Sequence, residues 1–414
     1  QPLGAHPFGE NINLYDGTLS FEETDIDVPG NGPEIHLGRT VTPAQGFGYA
    51  LNAHRPFGDW DLDIPRIETL VASPSLSETG ALWKTVNSAT QRCTYFNVPP
   101  DYGPTQPGAD PWTPDEWWYG YHLMLPGQGS QTLLPRGGNP LTPTIGGMSF
   151  PIVTKQNWMI GCGVTASDGG EGFQAVAPDG TRYTFAHLVY HPTADVTSPL
   201  GTAPTGMSAQ GGIQPMIAPF NILFRRDALM YVTQIQDRFG NTLTYNYSGD
   251  NLSSIVASDG RQVTLSYVSG TPLVQTVTVQ SSNATPRTWT YSYDITTNPD
   301  LPTLTGVQLP DGSAWSYQIG NLQAVTIETE GGDCKFNALP MLGSSAVTGS
   351  ITHPSGLKAT FTLTPMLHGR SYVPRQCYGA ASLGGDQPFS TYPEYAYQFS
   401  LTSEVLSGAG LPTR

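Results

Sequence analysis

Charge is scarce in this chain of 414 residues: Asp, Glu, Lys and Arg together make up 12%, about half of the roughly 25% usual in soluble domains. Lysine is nearly missing, standing only at Lys84, Lys155, Lys335 and Lys358, and the formal net charge is −15. A phosphate backbone is held by cations, so nucleic acid is not an expected partner. No apolar run approaches the ~18 residues of a membrane-crossing helix, so no membrane span is expected. A secretory leader is not visible either, although Gln1 is compatible with a mature end left after its removal. No phosphate loop, dinucleotide fingerprint or Gly-x-Ser-x-Gly elbow occurs, and no cofactor is expected.

Cysteine is sparse as well, with Cys93, Cys162, Cys334 and Cys377. No two of them are spaced as a zinc pair and no histidine stands at finger spacing, so a metal site is not expected. Four cysteines allow three pairings. Cys93 with Cys162 and Cys334 with Cys377 is favoured, because each bridge then lies within one half of the chain. Bridges would place the chain outside the cell, at its surface or in a periplasm, whereas four buried thiols would suit a cytosolic shell. His187 and His191 are four apart, a spacing that converges on a helix. Tyr183 to Tyr190 alternates like a strand, which argues for a structural or surface role.

What is abundant is glycine, 47 residues, and proline, 37, a composition that disfavours helix-rich folds. One phrase recurs. Asp237-Arg-Phe-Gly240-Asn-Thr-Leu-Thr-Tyr245-Asn-Tyr is followed by Ser258-Asp259-Gly260-Arg261-Gln-Val-Thr-Leu-Ser-Tyr267. Pro310-Asp311-Gly312-Ser-Ala-Trp-Ser-Tyr317, Pro178-Asp179-Gly180-Thr-Arg-Tyr183 and, more loosely, Pro354-Ser-Gly356 to Phe361 repeat it. An Asp-Gly corner predicts a type I′ hairpin turn, which needs positive φ at both central residues. The strand after it alternates, with Val263, Leu265 and Tyr267 on one face and Gln262, Thr264 and Ser266 on the other. A terminal tyrosine keeps its ring on the apolar face and its hydroxyl near water or a backbone partner. Units of this kind cannot bury a face alone and must stack, so the expected fold is all-β: repeated antiparallel hairpins in a curved or spiralling sheet.

These residues resemble the tyrosine/aspartate (YD) repeats of the Rhs proteins. The upstream pieces are similar to the leader of bacterial Rhs chains: Leu14-Tyr-Asp-Gly17, Asp25-Ile-Asp-Val-Pro29-Gly-Asn-Gly-Pro33, Leu37-Gly-Arg39, Phe57-Gly-Asp-Trp60, Asn157-Trp-Met-Ile-Gly-Cys162 and Gly170-Glu-Gly-Phe173. The resemblance implies a β-strip spiralling into a hollow cocoon that encloses a C-terminal effector segment, commonly released by aspartyl self-cleavage. Neither that cleavage core nor a payload stands before Arg414. The expectation is therefore an amino-terminal portion, non-enzymatic, whose partner is its own missing C-terminal segment or another enclosed cargo. Residues 1–224 read as an irregular Pro/Gly-rich leader region and 225–414 as the repeat strip. Thr193 to Pro219 reads as a covering loop and Glu328 to Ser350 as an insertion. A hollow larger than a small-ligand pocket and an unpaired edge strand near the carboxyl end are expected, the latter favouring edge-to-edge self-association.

The oddest local composition is Asp110-Pro-Trp112-Thr-Pro-Asp-Glu116-Trp117-Trp118-Tyr-Gly-Tyr121-His122. Aromatic faces beside carboxylates can bind sugar rings, so a cell-surface glycan is an alternative partner through Trp112, Glu116, Trp117, Trp118 and Tyr121. The competing and favoured expectation is a helix start at Thr113-Pro-Asp-Glu whose aromatics plug the interior. Glycoside cleavage needs two carboxylates across a cleft. Asp115, Glu116, Asp168 and Glu171 can be nominated, but nothing in the sequence separates them from solvated loop acids, and no catalytic residue is assigned.

Overall fold

The computed structural model describes residues 6–43, 55–73, 83–85, 90–103, 111–137, 142–193, 195–199, 220–281, 284–297, 301–323, 328–329, 341–342, 345–369 and 395–408. Cys334 and Cys377 lie outside them, as do most of the Thr193 to Pro219 run and most of the Glu328 to Ser350 insertion. The fold is all-β, and its two helices among the described residues, Pro114–Trp117 and Gly320–Gln323, are single turns.

Two sheets carry the molecule. The first is a four-stranded antiparallel sheet of Glu10–Ile12, Leu19–Val28, Ile35–Val41 and Asp61–Asp63, paired in chain order. The second is a long antiparallel strip. It starts at Leu134–Pro135 and Ile152–Val153 and runs through Met159–Thr165, Glu171–Val176 and Arg182–Pro192 to the 17-residue strand Phe220–Gln236. There it forks. The carboxyl end of that strand pairs with Thr242–Ser248, while its middle pairs with Arg66–Ser73, which continues to His122–Leu125 and Gly129–Thr132.

Beyond Thr242–Ser248 the strip proceeds hairpin by hairpin through Asn251–Ala257, Gln262–Tyr267, Val274–Gln280, Arg287–Asp294, Thr303–Gln308, Ala314–Gln318, Val347–Thr352 and Lys358–Gly369 to Tyr395–Ser407. Among the described residues no register pairs that last strand with an early one, so the strip is an open sheet and not a closed barrel. The division near residue 225 falls inside the strand Phe220–Gln236, which pairs with segments on either side of it in the chain.

The repeat phrase builds one kind of corner. In seven turns among the described residues, at 154–158, 166–170, 177–181, 237–241, 257–261, 309–313 and 353–357, the first N–H donates to the fifth carbonyl and the fourth N–H donates back to the first carbonyl. At 257–261 these bonds are 2.9 and 3.1 Å. Only the fourth residue has positive φ, +90° at Gly260 and +66° at Asn157. The expected type I′ turn is therefore corrected. The loop has three residues, a type I turn closed by a left-handed glycine bulge, which also suits the strand twist and needs one permissive residue in place of two. Asp179, Asp259 and Asp311 precede the glycine, and their carboxylates accept the N–H groups of Thr181, Arg261 and Ser313. Asp237 opens its turn and accepts from Phe239 and Asn241.

The registers set six of these corners along one rim of the strip, the exception being 166–170. On the opposite rim, tyrosines at strand ends latch each strand to the one before it. Tyr247, Tyr267 and Tyr293 donate their hydroxyls to the carbonyls of Val232, Leu252 and Val274, each at 2.6 Å. Alternation then gives one apolar face, with Leu243, Tyr245, Ile255, Val263, Val277 and Val307 buried. That face is filled where a hollow was expected. The four-stranded sheet lies on it, and Phe8, Phe21 and Trp60 pack against Trp315, Phe361 and Tyr317 at ring distances of 5.1 to 6.5 Å. Apolar rings left facing an empty interior would forgo this burial.

Candidate functional site

The candidate site is the interface where the N-terminal sheet docks on the repeat hairpins, because the leader segments and the repeat corners singled out in the sequence meet there. The Pro29-Gly-Asn-Gly-Pro33 turn lies across the corner rim. Arg261, buried, donates through its guanidinium to the carbonyls of Val28 and Pro33, the latter at 3.0 Å, and through Nε to Asp259 at 2.8 Å. Asp259 also accepts the Asn31 N–H at 3.1 Å, and Asn241 Nδ2 donates to the Asn31 carbonyl at 3.2 Å. A Cβ on Gly30 would stand 2.1 Å from Arg261 Cζ, so any other residue here would push the Arg261 guanidinium out of this clamp. The hydrogen bond from Arg261, helped by backbone N–H donors, holds the Asp259 carboxyl below its usual range. Thus the Asp-Gly-Arg corner turns the chain and also clamps the leader.

Deeper in the interface sits Arg39, fully buried. Its Nε donates to Asp25 at 2.9 Å and its Nη2 to the Tyr317 hydroxyl at 2.5 Å. The guanidinium carbon stands 4.6 Å from the Trp60 ring centre and 4.8 Å from that of Tyr317, a cation held between two aromatic faces. Tyr291 donates to the same Asp25 oxygen at 2.9 Å. Burial opposes the Arg39 cation, yet Asp25 and Tyr317 outweigh it and keep the group charged. Glu23 lies beside this pair, and burial lifts its carboxyl to about 7 against the pull of Arg39. Burial likewise lifts Asp63 to about 6, against Arg66.

The Phe57-Gly-Asp-Trp60 element docks the next hairpin. Phe57 stands 4.9 Å from Tyr291, and the buried Asp59 accepts the Leu304 N–H at 2.7 Å. Of the repeat residues named from the sequence, Asp259, Arg261 and Tyr317 enter this interface. Gly180, Gly240, Gly260 and Gly312 serve corners, Asp179, Asp237 and Asp311 cap them, and Tyr267 serves the latch. Tyr245 is buried in the core, and Tyr183 packs edge-on against Trp158 at 5.1 Å. Arg39 and Asp25 stood in quoted segments without a role, although so few cations beside an acidic strand pair are a signal for a buried ion pair.

The remaining candidates lie elsewhere. Trp112 and Trp117 are buried with Leu70 and Leu223, and Tyr121 is buried against Trp83 and Phe96, so these ring faces are closed to a sugar. Trp118 donates its indole N–H to Thr69 at 2.8 Å. Glu116 folds back on Thr113, accepting its N–H at 2.6 Å, as the capping box of the short helix. Asp168 pairs with Arg92, and Glu171 accepts from the Cys93 and Thr94 N–H groups, so both acids serve the turn at 90–96. His187 stacks on Tyr247 at 3.9 Å, and burial lowers its pKa. Cys93 and Cys162 are disulfide-bonded, with Cα atoms 5.5 Å apart. No helix among the described residues is long and apolar enough to cross a membrane.

No family model and no curated protein matches this chain. Among solved structures, it is similar to a crystal structure of TcdB2-TccC3-Cdc42, with 11% identity, 87% of this chain and 19% of that chain covered, and a TM-score of 0.31. It thus spans about a fifth of that chain's length. The N-terminal domain of the effector protein SpvB from Salmonella typhimurium strain LT2 is similar at 13% identity, with 71% and 94% covered and a TM-score of 0.23. A crystal structure of TcdB2-TccC3-TEV follows at 10% identity, 75% and 18% coverage and a TM-score of 0.17.

Proposed function

We propose that this chain is the non-enzymatic wall of a secreted Rhs-type shell whose N-terminal sheet is built in as the stopper of one end. The observation that carries this reading is the clamp of Arg261, Asp259 and Asn241 on the leader turn, which puts the corner rim of the hairpin strip to a second use. A strip of latched hairpins is extended by adding units of the same kind, and each unit brings one apolar and one wet face. The apolar face here is already covered by the N-terminal sheet. Room for cargo, the C-terminal effector segment of a longer product, would then come from further hairpins beyond those described. The Cys93–Cys162 bridge supports a secreted or surface setting.

The test is limited proteolysis of a longer gene product. Its segment following the strip should be cut at least about ten-fold more slowly than the same segment alone, since cleavage tracks the exposed population. Equal rates would sink enclosure. A glycan-array signal for this chain that disappears in Trp117→Ala/Trp118→Ala would favour the carbohydrate alternative.

A further inference from the structure

We propose that the Cys93–Cys162 disulfide is a redox latch: it holds the segment 90–97 over an aromatic cluster, and an external thiol opens it by attacking Cys162. This inference is independent of the shell reading. The segment adds no strand to the strip. It is held from the side, by the Thr90 carbonyl accepting the Glu171 N–H at 2.8 Å, by the Glu171 carboxylate on the Cys93 and Thr94 N–H groups at 2.9 and 2.8 Å, and by the Arg92–Asp168 pair. Beneath it, Phe96 stands 4.6 Å from Tyr121, whose hydroxyl donates to the Asn97 carbonyl at 2.7 Å. Trp83 stacks on Tyr121 and lies against Phe173, with the Arg92 guanidinium 5.7 Å from its ring. These contacts are local to the cover, whereas the bridge closes a loop of 69 residues and sharply limits how far the cover can leave the sheet.

The two sulfurs are unequal. Cys93 is 1% exposed. Cys162 is partly exposed and sits where the strand Met159–Thr165 bulges between Gly161 and Val164. It lines an open groove together with Thr94, Met148, Ser149, Pro151 and Gly163. A thiolate entering that groove meets the Cys162 sulfur first. The new S–S bond forms on Cys162, the Cys93–Cys162 bond breaks, and Cys93 leaves with the electron pair and takes a proton from water. With a dithiol, the second thiolate then displaces Cys162 and the reagent departs as a cyclic disulfide. The segment is left on its noncovalent contacts alone, and the Trp83, Tyr121 and Phe173 cluster becomes accessible.

The experiment uses the whole chain, folded with the bridge intact. Brief glutathione exposure followed by peptide mapping should place the mixed disulfide on Cys162. After dithiothreitol, trypsin cleavage following Arg92 should rise at least about ten-fold, because cleavage follows the open population. Amide exchange at Cys93 and Thr94 should quicken while Ile255 and Val277 stay protected. Cys93→Ser/Cys162→Ser should show the open pattern without thiol. If that variant does not fold, the reduced natural chain supplies the measurement. Trapping on Cys93, unchanged cleavage and exchange once the bond is reduced, or loss of protection throughout the strip would each overturn the latch.

Discussion

At the scale of single residues, the interface depends on a few buried charges. Replacing Arg39 with Met would leave the buried Asp25 carboxylate without its cation, with only the Tyr291 hydroxyl still donating to it, a loss of about 3–5 kcal/mol, and urea denaturation should show the midpoint falling accordingly. Tyr317→Phe removes one hydrogen bond to that cation and should cost less, about 1.5–3 kcal/mol. Glu23 sets a pH dependence. Its folded pKa of about 7 lies above its ordinary 4.5, so the stability it contributes is complete below about 4.5 and is lost as pH rises through about 7. Glu23→Gln should therefore be more stable than the natural chain at about pH 8 and lose that advantage below about pH 4.5. Equal urea midpoints for the two proteins at both pH values would refute the assignment. Arg39 and Glu23 were poorly legible in the sequence, because their importance comes from a strand of one sheet facing a hairpin of another some 280 residues away.

At the scale of the element, the hairpin corner governs. Gly260→Ala and Gly312→Ala meet no atoms within 4 Å, so their cost is the left-handed backbone alone, about 1–2 kcal/mol. Asparagine at the same places should cost less, since Asn157 already holds that corner at 154–158. If thermal unfolding finds alanine and asparagine equivalent there, the corner geometry is not what selects glycine. The latch is checked by Tyr267→Phe, which deletes the bond to the Leu252 carbonyl and should lower stability by about 1 kcal/mol while hairpin pairing persists. The corners were legible because the phrase is local: three or four residues contain the turn, its cap and its permissive glycine. The turn type was misjudged for the same reason, since hairpin register depends on the partner strand. The turns at 154–158 and 166–170 escaped the repeat because the first has no Asp-Gly pair and the strand after Asp168-Gly169 carries no tyrosine.

At the scale of the whole molecule, the last strand Tyr395–Ser407 pairs on one side with Lys358–Gly369 and has no second strand partner among the described residues. The segment Asp16–Thr18 lies against its middle: the Leu401 N–H donates to the Gly17 carbonyl at 2.9 Å, Ser400 Oγ to the Asp16 carbonyl at 2.6 Å and Gln398 Nε2 to Thr18 Oγ1 at 2.6 Å. An edge of this length recruits another edge. Light scattering should therefore show concentration-dependent association, and Val405→Lys, at a partly exposed position on that strand, should shift the chain toward monomer. A strict monomer at every concentration would count against edge pairing. The net charge of −15 opposes close approach of two copies, so added salt should strengthen the association.

The sequence by itself determined the class and the unit: an all-β chain of glycine-cornered hairpins with one apolar face, because turn conformation and strand alternation are set by residues within a few positions of each other. It also supplied the pieces of the leader, and it placed the helix start at Thr113. Only the tertiary structure decided what lies on the apolar face, that the strip forks at Phe220–Gln236, and that Arg261 and Arg39 fasten the N-terminal sheet to hairpins hundreds of residues later. Those outcomes depend on burial and on charge pairs between distant segments. The free energy of such contacts comes into being when two surfaces exclude water together, and no short window of sequence contains both.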